Sequence, residues 1–334
     1  MKLRRLATPV SLAALGAVTW VTVGGLAGFR GAVGLLPPWI HFCALLVFGA
    51  ELLCRGGRLT LLARGVGRPL GLAGACATQL VGEAAAAVTP SRSGSDPARL
   101  LALRRLGVDL PGGGAMMVGE MVVEAVALAI AVLLMVLLVP GIGIPTAGVA
   151  LYVVGSLTVA AVIVGLAAEG GKSRMPRVLG WAGVGRRGWT RVRAGARRFR
   201  REIRELSRAS RSLAAAALAM SVARIALRLS FLPLLAVPFA PEAPLAPLVE
   251  WPLLLLYTMS VLPPPGGGGG VEVAFSVGLA STLPAGALAG ILIWWRIYTF
   301  YLGAVLGGLV VALSRMRLPS RPPRRLHLEE TAPG

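Results

Sequence analysis

Between Ala115 and Val139 the chain runs through 25 residues in which only Glu120 and Glu124 carry charge. At about 1.5 Å of rise per residue, a helix of that length crosses the roughly 30 Å hydrocarbon core of a bilayer. Backbone polar groups inside hydrocarbon must find partners within the chain, which leaves helices or a closed barrel. Further apolar runs recur along all 334 residues, 56% of which are hydrophobic, with a mean hydropathy of +0.76. The expected fold is therefore an all-α polytopic membrane protein, not a soluble domain with a buried core.

The formal charge is +20. In a soluble chain that excess would suggest nucleic acid. Here basic loops held at the cytoplasmic face explain it, and no nucleic-acid partner is expected. Cys43, Cys54 and Cys76 lie in apolar surroundings without CxxC spacing and read as small buried hydrophobes. His41 and His327 are too scattered for a metal site, and no P-loop, GxSxG or HExxH motif is present. No metal and no cofactor are expected.

Orientation follows from the arginines. Lys2, Arg4 and Arg5 precede an apolar run from Leu6 to Phe29, read as a retained signal-anchor helix with its N-terminus inside. A second run, from about Leu35 to Cys54, returns inside, where Arg55, Arg58, Arg64 and Arg68 are expected as cytoplasmic residues. Pro69 to Val88 is apolar, with Gln79 and Glu83 embedded. Pro97 to Gly107 reads as a short amphipathic interfacial helix. Ala115–Val139 leads outward, and Ala147–Ala168 returns. The segment 169–211 then holds thirteen Arg and one Lys against three Glu, a net +11 and the strongest orientation signal in the chain. It is expected to be a cytoplasmic loop, helical over Arg197–Arg211, that meets anionic lipids. Ser212–Ala240 goes out again, carrying Arg224 and Arg228. Gly286–Leu313 comes back to a basic tail, 314–334, expected to be disordered and cytoplasmic.

Two stretches do not fit simple spans. In the first, Pro90 is followed by Gly94, Asp96 and Arg99, and thirty residues on by Glu120. In the second, Pro265 is followed by Gly266, Gly267, Gly269 and Glu272, and thirty-one residues on by Arg296. Each reads as helix, Pro/Gly break, acid, short helix, then a spanning helix with an embedded charge. The expected domain is a single transmembrane unit, 1–313. Its first half is 1–168, with a re-entrant motif at 70–110. Its second half is 212–313, with a re-entrant motif at 248–285. About six spanning helices and two opposed re-entrant hairpins would form a pseudo-inverted repeat. A helix interrupted at Pro/Gly leaves free N–H groups and a positive dipole end, where an anion can bind. Glu120 and Glu124 share a helical face, as do Arg224 and Arg228, which makes pairing between the two helices the plain reading.

These blocks resemble a known family. TPSRSGSDPARLLALRRLG followed by VGEMVVE, and PPPGGGGGVE followed by WWRIYTFYLGAVLGG, are similar to flippase-like integral membrane proteins. Those proteins are related to the transmembrane part of lysylphosphatidylglycerol synthases, the multiple peptide resistance factor group. Met121 stands where that family tends to have Arg, and Ser91 and Ser95 replace glycines. The resemblance implies lipid translocation or lipid handling, expected at the bacterial cytoplasmic (inner) membrane; the basic flanks of the first and last runs place both termini on the cytoplasmic side. The aminoacyl-transferase domain of the full synthase is expected to be absent, so the protein is expected to be a transporter and not an enzyme.

The expected substrate is an anionic phospholipid or a polyprenyl-phosphate-linked lipid; a homo-oligomer is compatible with this. Arg92, Gly94, Asp96, Arg99, Gly266, Gly267, Gly269, Glu272 and Arg296 are the candidate substrate-binding residues. Pro90, Glu120, Glu124, Arg224, Arg228 and Pro265 are candidates for gating or coupling. The alternative is a non-catalytic scaffold subunit of a lipid or cell-envelope glycan synthesis complex. A membrane-embedded lipid-modifying enzyme is disfavoured by the lack of a visible nucleophile–base pair.

Overall fold

The computed structural model describes residues 34, 36–143, 146–169, 186–258 and 270–316. The expected signal anchor, the basic tail beyond Met316, and Pro265, Gly266, Gly267 and Gly269 lie outside the described residues; 314–316 close the last helix. Every described element is helical.

In chain order these are α1 (Pro38–Gly65), α2 (Leu72–Ala87), a 3-10 turn (Pro90–Arg92), α3 (Ser95–Arg105), α4 (Leu110–Leu138), α5 (Thr146–Glu169), α6 (Arg186–Ser207) and α7 (Arg211–Ala236). α8 (Leu245–Thr258), α9 (Gly270–Leu279), α10 (Ala285–Arg296), a π-helical turn (Ile297–Tyr301) and α11 (Leu302–Met316) follow. Four helical stretches are long and apolar enough to cross a membrane: Pro38–Gly65, Leu110–Leu138, Arg211–Ala236 and Ala285–Ser314. Their outward faces keep large apolar side chains uncovered, among them Phe42, Leu133, Leu137 and Val305. A surface of that kind suits hydrocarbon, because lipid tails are as apolar as the side chains they meet.

α2, α8 and α9 have 16, 14 and 10 residues, against the ~20 needed to span. α2 nonetheless sits inside the bundle, between α1 and α11. Small residues let it enter. A Cβ on Gly307 of α11 would overlap the Leu80 carbonyl of α2, and one on Gly82 of α2 would lie 2.7 Å from the Arg99 stem of α3. Close backbone approach through glycine is how helices associate where no hydrophobic force separates helix from solvent.

One expectation needs correction. The second apolar segment does not end at Cys54. α1 continues as one helix to Gly65, and Arg55 and Arg58 sit inside the bundle instead of in a cytoplasmic loop. Nothing in LLCRGGRLTLLARG forces a break, since two mid-helix glycines cost only about 1 kcal/mol each. The charge is tolerated because α2 and α4 supply carboxylates. The cysteines, expected as small buried hydrophobes, are free thiols and only half-buried.

Apolar packing divides around this polar layer. Phe231, Phe275, Trp295 and Tyr298 build one core among α1, α7, α9 and α10. Leu59, Leu62, Leu103 and Met116 build a second, closed by Phe199, Ile203 and Leu206 of α6. The basic helix α6 therefore lies against the ends of α1 and α4 with its apolar stripe inward.

Candidate polar site at the buried arginine–glutamate layer

Five helices and the 3-10 turn contribute to the layer. Glu83 of α2 accepts from Arg55 of α1 at 2.5 Å and from Arg92 of the 3-10 turn at 2.7 Å. Glu120 of α4 accepts from Arg58 at 2.9 Å and also from Arg99 of α3. Gln79 donates to the same carboxylate at 3.0 Å. Glu124, one turn on, pairs with Arg58 and with Arg224 of α7. Glu51 of α1 takes Arg228 at 3.1 Å, with Arg224 at 3.9 Å. Arg58 further donates to Ser221 at 3.0 Å. Six arginines thus surround four glutamates, an excess of two positive charges in a nearly dry layer. Asp96, on the rim and largely exposed, is 3.5 Å from Arg99.

The positions follow from helical period. Glu51, Arg55 and Arg58 fall on one stripe of α1, as Glu120 and Glu124 do on α4 and Arg224 and Arg228 on α7. Burying any one of these charges alone would cost several kcal/mol; paired and multiply hydrogen-bonded they are tolerated. Arg224 reaches Glu124 as the plain reading expected. Arg228 instead reaches Glu51, and its guanidinium also donates to the Thr299 carbonyl. That carbonyl belongs to the π-helical turn, a helix defect found preferentially at functional sites.

The Pro90 break is built tightly. Thr89 Oγ1 donates to the Ala85 carbonyl at 2.8 Å and accepts from the Gly94 N–H at 2.9 Å. The Gly94 amide is therefore already engaged by Thr89. Ser91 and Arg92 both have left-handed backbone, with φ of 48° and 56°. For non-glycine residues that conformation costs roughly 1–2 kcal/mol each, and such strain clusters at functional sites. It aims Arg92 at Glu83.

In the second stretch Glu272 of α9 and Arg296 of α10 are buried and 2.6 Å apart. Phe300, in the π-helical turn, links the two stretches: the Arg92 guanidinium lies 6.0 Å from its ring centre and that of Arg296 5.4 Å. Both distances allow cation–π attraction. A cavity of about 10 Å³ lies among Glu51, Arg55, Glu83, Arg228 and Thr299, room for about one water molecule. Among the described residues no group of three His, Cys, Asp or Glu is placed to hold a metal.

Residue-type reasoning overlooked Glu51, Arg55, Arg58 and Gln79 as site members and left Glu83 at the margin. The available signal was an acid inside an apolar run, Glu51, followed by arginines four and seven residues later.

The fold and this layer define a polytopic helical membrane protein with a buried arginine–glutamate site. The family model for the lysylphosphatidylglycerol synthase transmembrane region matches residues 7–307, nearly the whole chain, and the protein belongs to that family. No curated protein matches the sequence.

Proposed function

We propose that this protein moves a phosphate-bearing lipid headgroup between leaflets of the bacterial cytoplasmic membrane. The observation that carries this reading is the surplus of two arginines over glutamates within an apolar bundle. A layer built only for stability has no need of an excess charge, whereas one that receives an anion does. Arg99 supports it further, since its Nε is buried without an acceptor. A guanidinium has five N–H donors and matches phosphate as well as carboxylate. A headgroup phosphate can therefore join Arg92 or Arg99, or displace Glu83 or Glu120 from them, without leaving a bare charge. Arg296 is the corresponding group of the second half.

The short helices α2 with α3, and α8 with α9, are read as two opposed re-entrant hairpins of an inverted repeat. Their lengths and the Phe300 link between the two halves support this. The present cavity is too small for a headgroup, so transfer requires the hairpins to part. Protonation of Glu120 or Glu124 would weaken their hold on Arg99 and Arg224 and would couple a proton to that opening.

The test is reconstitution of the full chain in proteoliposomes carrying a headgroup-labelled anionic phospholipid or polyprenyl phosphate. Wild type should transfer label faster than empty vesicles, and Arg99→Gln should abolish the difference. Transfer at the empty-vesicle rate by correctly folded wild type would favour a scaffold subunit instead.

A further inference from the structure

We propose a second lipid site, apart from the polar layer. An anionic phospholipid seats one acyl chain in the groove between α1, α4, α5, α6 and α7, with its phosphate on the arginines around the junction of α6 and α7. The groove has a volume of about 660 Å³, within the roughly 300–1,000 Å³ of ligand sites. Of its lining residues only Ser207 is polar; Leu61, Val122, Leu157, Ala160 and Leu213 are representative of the rest. A space so poor in hydrogen-bonding groups does not hold water well and suits hydrocarbon. It is continuous with a surface on which Val122, Leu157 and Val162 are uncovered, so it opens toward the acyl region of the bilayer.

The rim decides the class of lipid. Ser207, Ala209 and Leu213 line the groove, and Arg204, Arg208 and Arg211, interleaved with them, are exposed. Helix α6 itself carries nine arginines against two glutamates. A chain entering the groove from this end brings its headgroup under guanidinium groups. Only an anionic headgroup gains from that placement, by charge-assisted hydrogen bonds and surface potential. A zwitterionic lipid gains less, and the uncharged segment Leu6–Phe29 offers the rim nothing. The groove is distinct from the polar layer because Val118, Gly119, Val122 and Val123 turn away from Glu120 and Glu124 on α4. The proposal therefore does not depend on transport.

The experiment places the full chain in phosphatidylcholine vesicles with trace phosphatidylglycerol or phosphatidylcholine bearing a nitroxide on the acyl chain. The motion-restricted fraction is read by electron paramagnetic resonance. Wild type should restrict phosphatidylglycerol several-fold more than phosphatidylcholine. R204Q/R208Q/R211Q should collapse that preference. Ala160→Trp, or Gly165→Leu at another point of the wall, should remove it by filling the groove. Equal restriction of the two lipids by wild type overturns the proposal; this is also the result if Leu6–Phe29 occupies the groove. Full preference in the triple variant, or in both filled variants, overturns it as well. A chain that still transfers label but shows no preference loses this site and keeps its function, and the converse result separates the two in the other direction.

Discussion

The two interrupted stretches solve the same problem, buried charge, in different ways. Between Pro263 and Arg296 the sequence holds only two charged residues, Glu272 and Arg296, and the fold brings them together at 2.6 Å. The first stretch distributes its acids. Glu83, Glu120 and Glu124 each meet two arginines, and these come from α1, α3, α7 and the 3-10 turn. The second arrangement is a clasp within one half of the molecule. The first is a shared network, in which a guanidinium can change partner without being left unpaired. On the proposed function, that difference makes the shared network the place where a passing phosphate changes partners, while Arg296 meets it only on release of Glu272.

The largest expected effect tests the clasp. Glu272→Leu should destabilise the protein by about 3–5 kcal/mol, since it leaves Arg296 without its carboxylate in a dry site. Glu272→Leu with Arg296→Met should recover most of that loss in thermal unfolding of the detergent-solubilised protein. A double variant as unstable as the single one would remove the contrast between the halves.

Next comes the seat of the first hairpin. Gly307→Leu should cost roughly 1–3 kcal/mol or more, because the added side chain meets the Leu80 backbone and not a movable side chain. Cysteine accessibility at Cys76 should rise as α2 is pushed out.

Replacing one of two shared arginines should matter less. Arg55→Gln should cost on the order of 1–2 kcal/mol, with Arg92 still holding Glu83. Arg55→Gln with Arg92→Gln should lose clearly more than the sum of the single changes. Strict additivity would mean that the network is only a set of independent pairs.

The smallest effects lie at the edges. Ser91→Gly should stabilise by less than about 1 kcal/mol, the relief of left-handed strain offset by glycine entropy. On α6, which is not among the helices apolar enough to span, burial and the neighbouring Glu205 raise the Glu202 carboxyl above its ordinary 4.5, against the pull of Arg68. A raised carboxyl binds its proton more tightly in the folded chain. Its contribution is therefore present at acid pH and lost as pH rises from 4.5 through the folded value. Protection of the α6 amides, corrected for the base-catalysed intrinsic exchange rate, should fall over that rise in wild type and stay level in Glu202→Gln.

Much of the bundle was legible without coordinates. The extents of α4, α5 and α7 lie close to the apolar runs that announce them, because length and hydropathy alone decide what can cross a bilayer. The break at Pro90 was legible too, from Pro, Gly and an acid in apolar surroundings. The partners of the charges were not. Arg55 and Arg58 read as loop residues by the positive-inside rule, which counts charge and does not know what faces it. Glu51 passed as a single acid in a long run.

By itself the sequence determined that this chain enters a membrane as helices, where it is interrupted, and which charges are too costly to be idle. Those are consequences of composition and period, local along the chain. Only the tertiary structure decided that Glu83 and not Asp96 is central. It also made α1 a wall of the site, and it let Phe300 bridge Arg92 and Arg296. Pairing of buried charge is set by which helix faces are brought within about 3 Å of each other. That is a property of packing between segments far apart in the chain, and no local pattern encodes it.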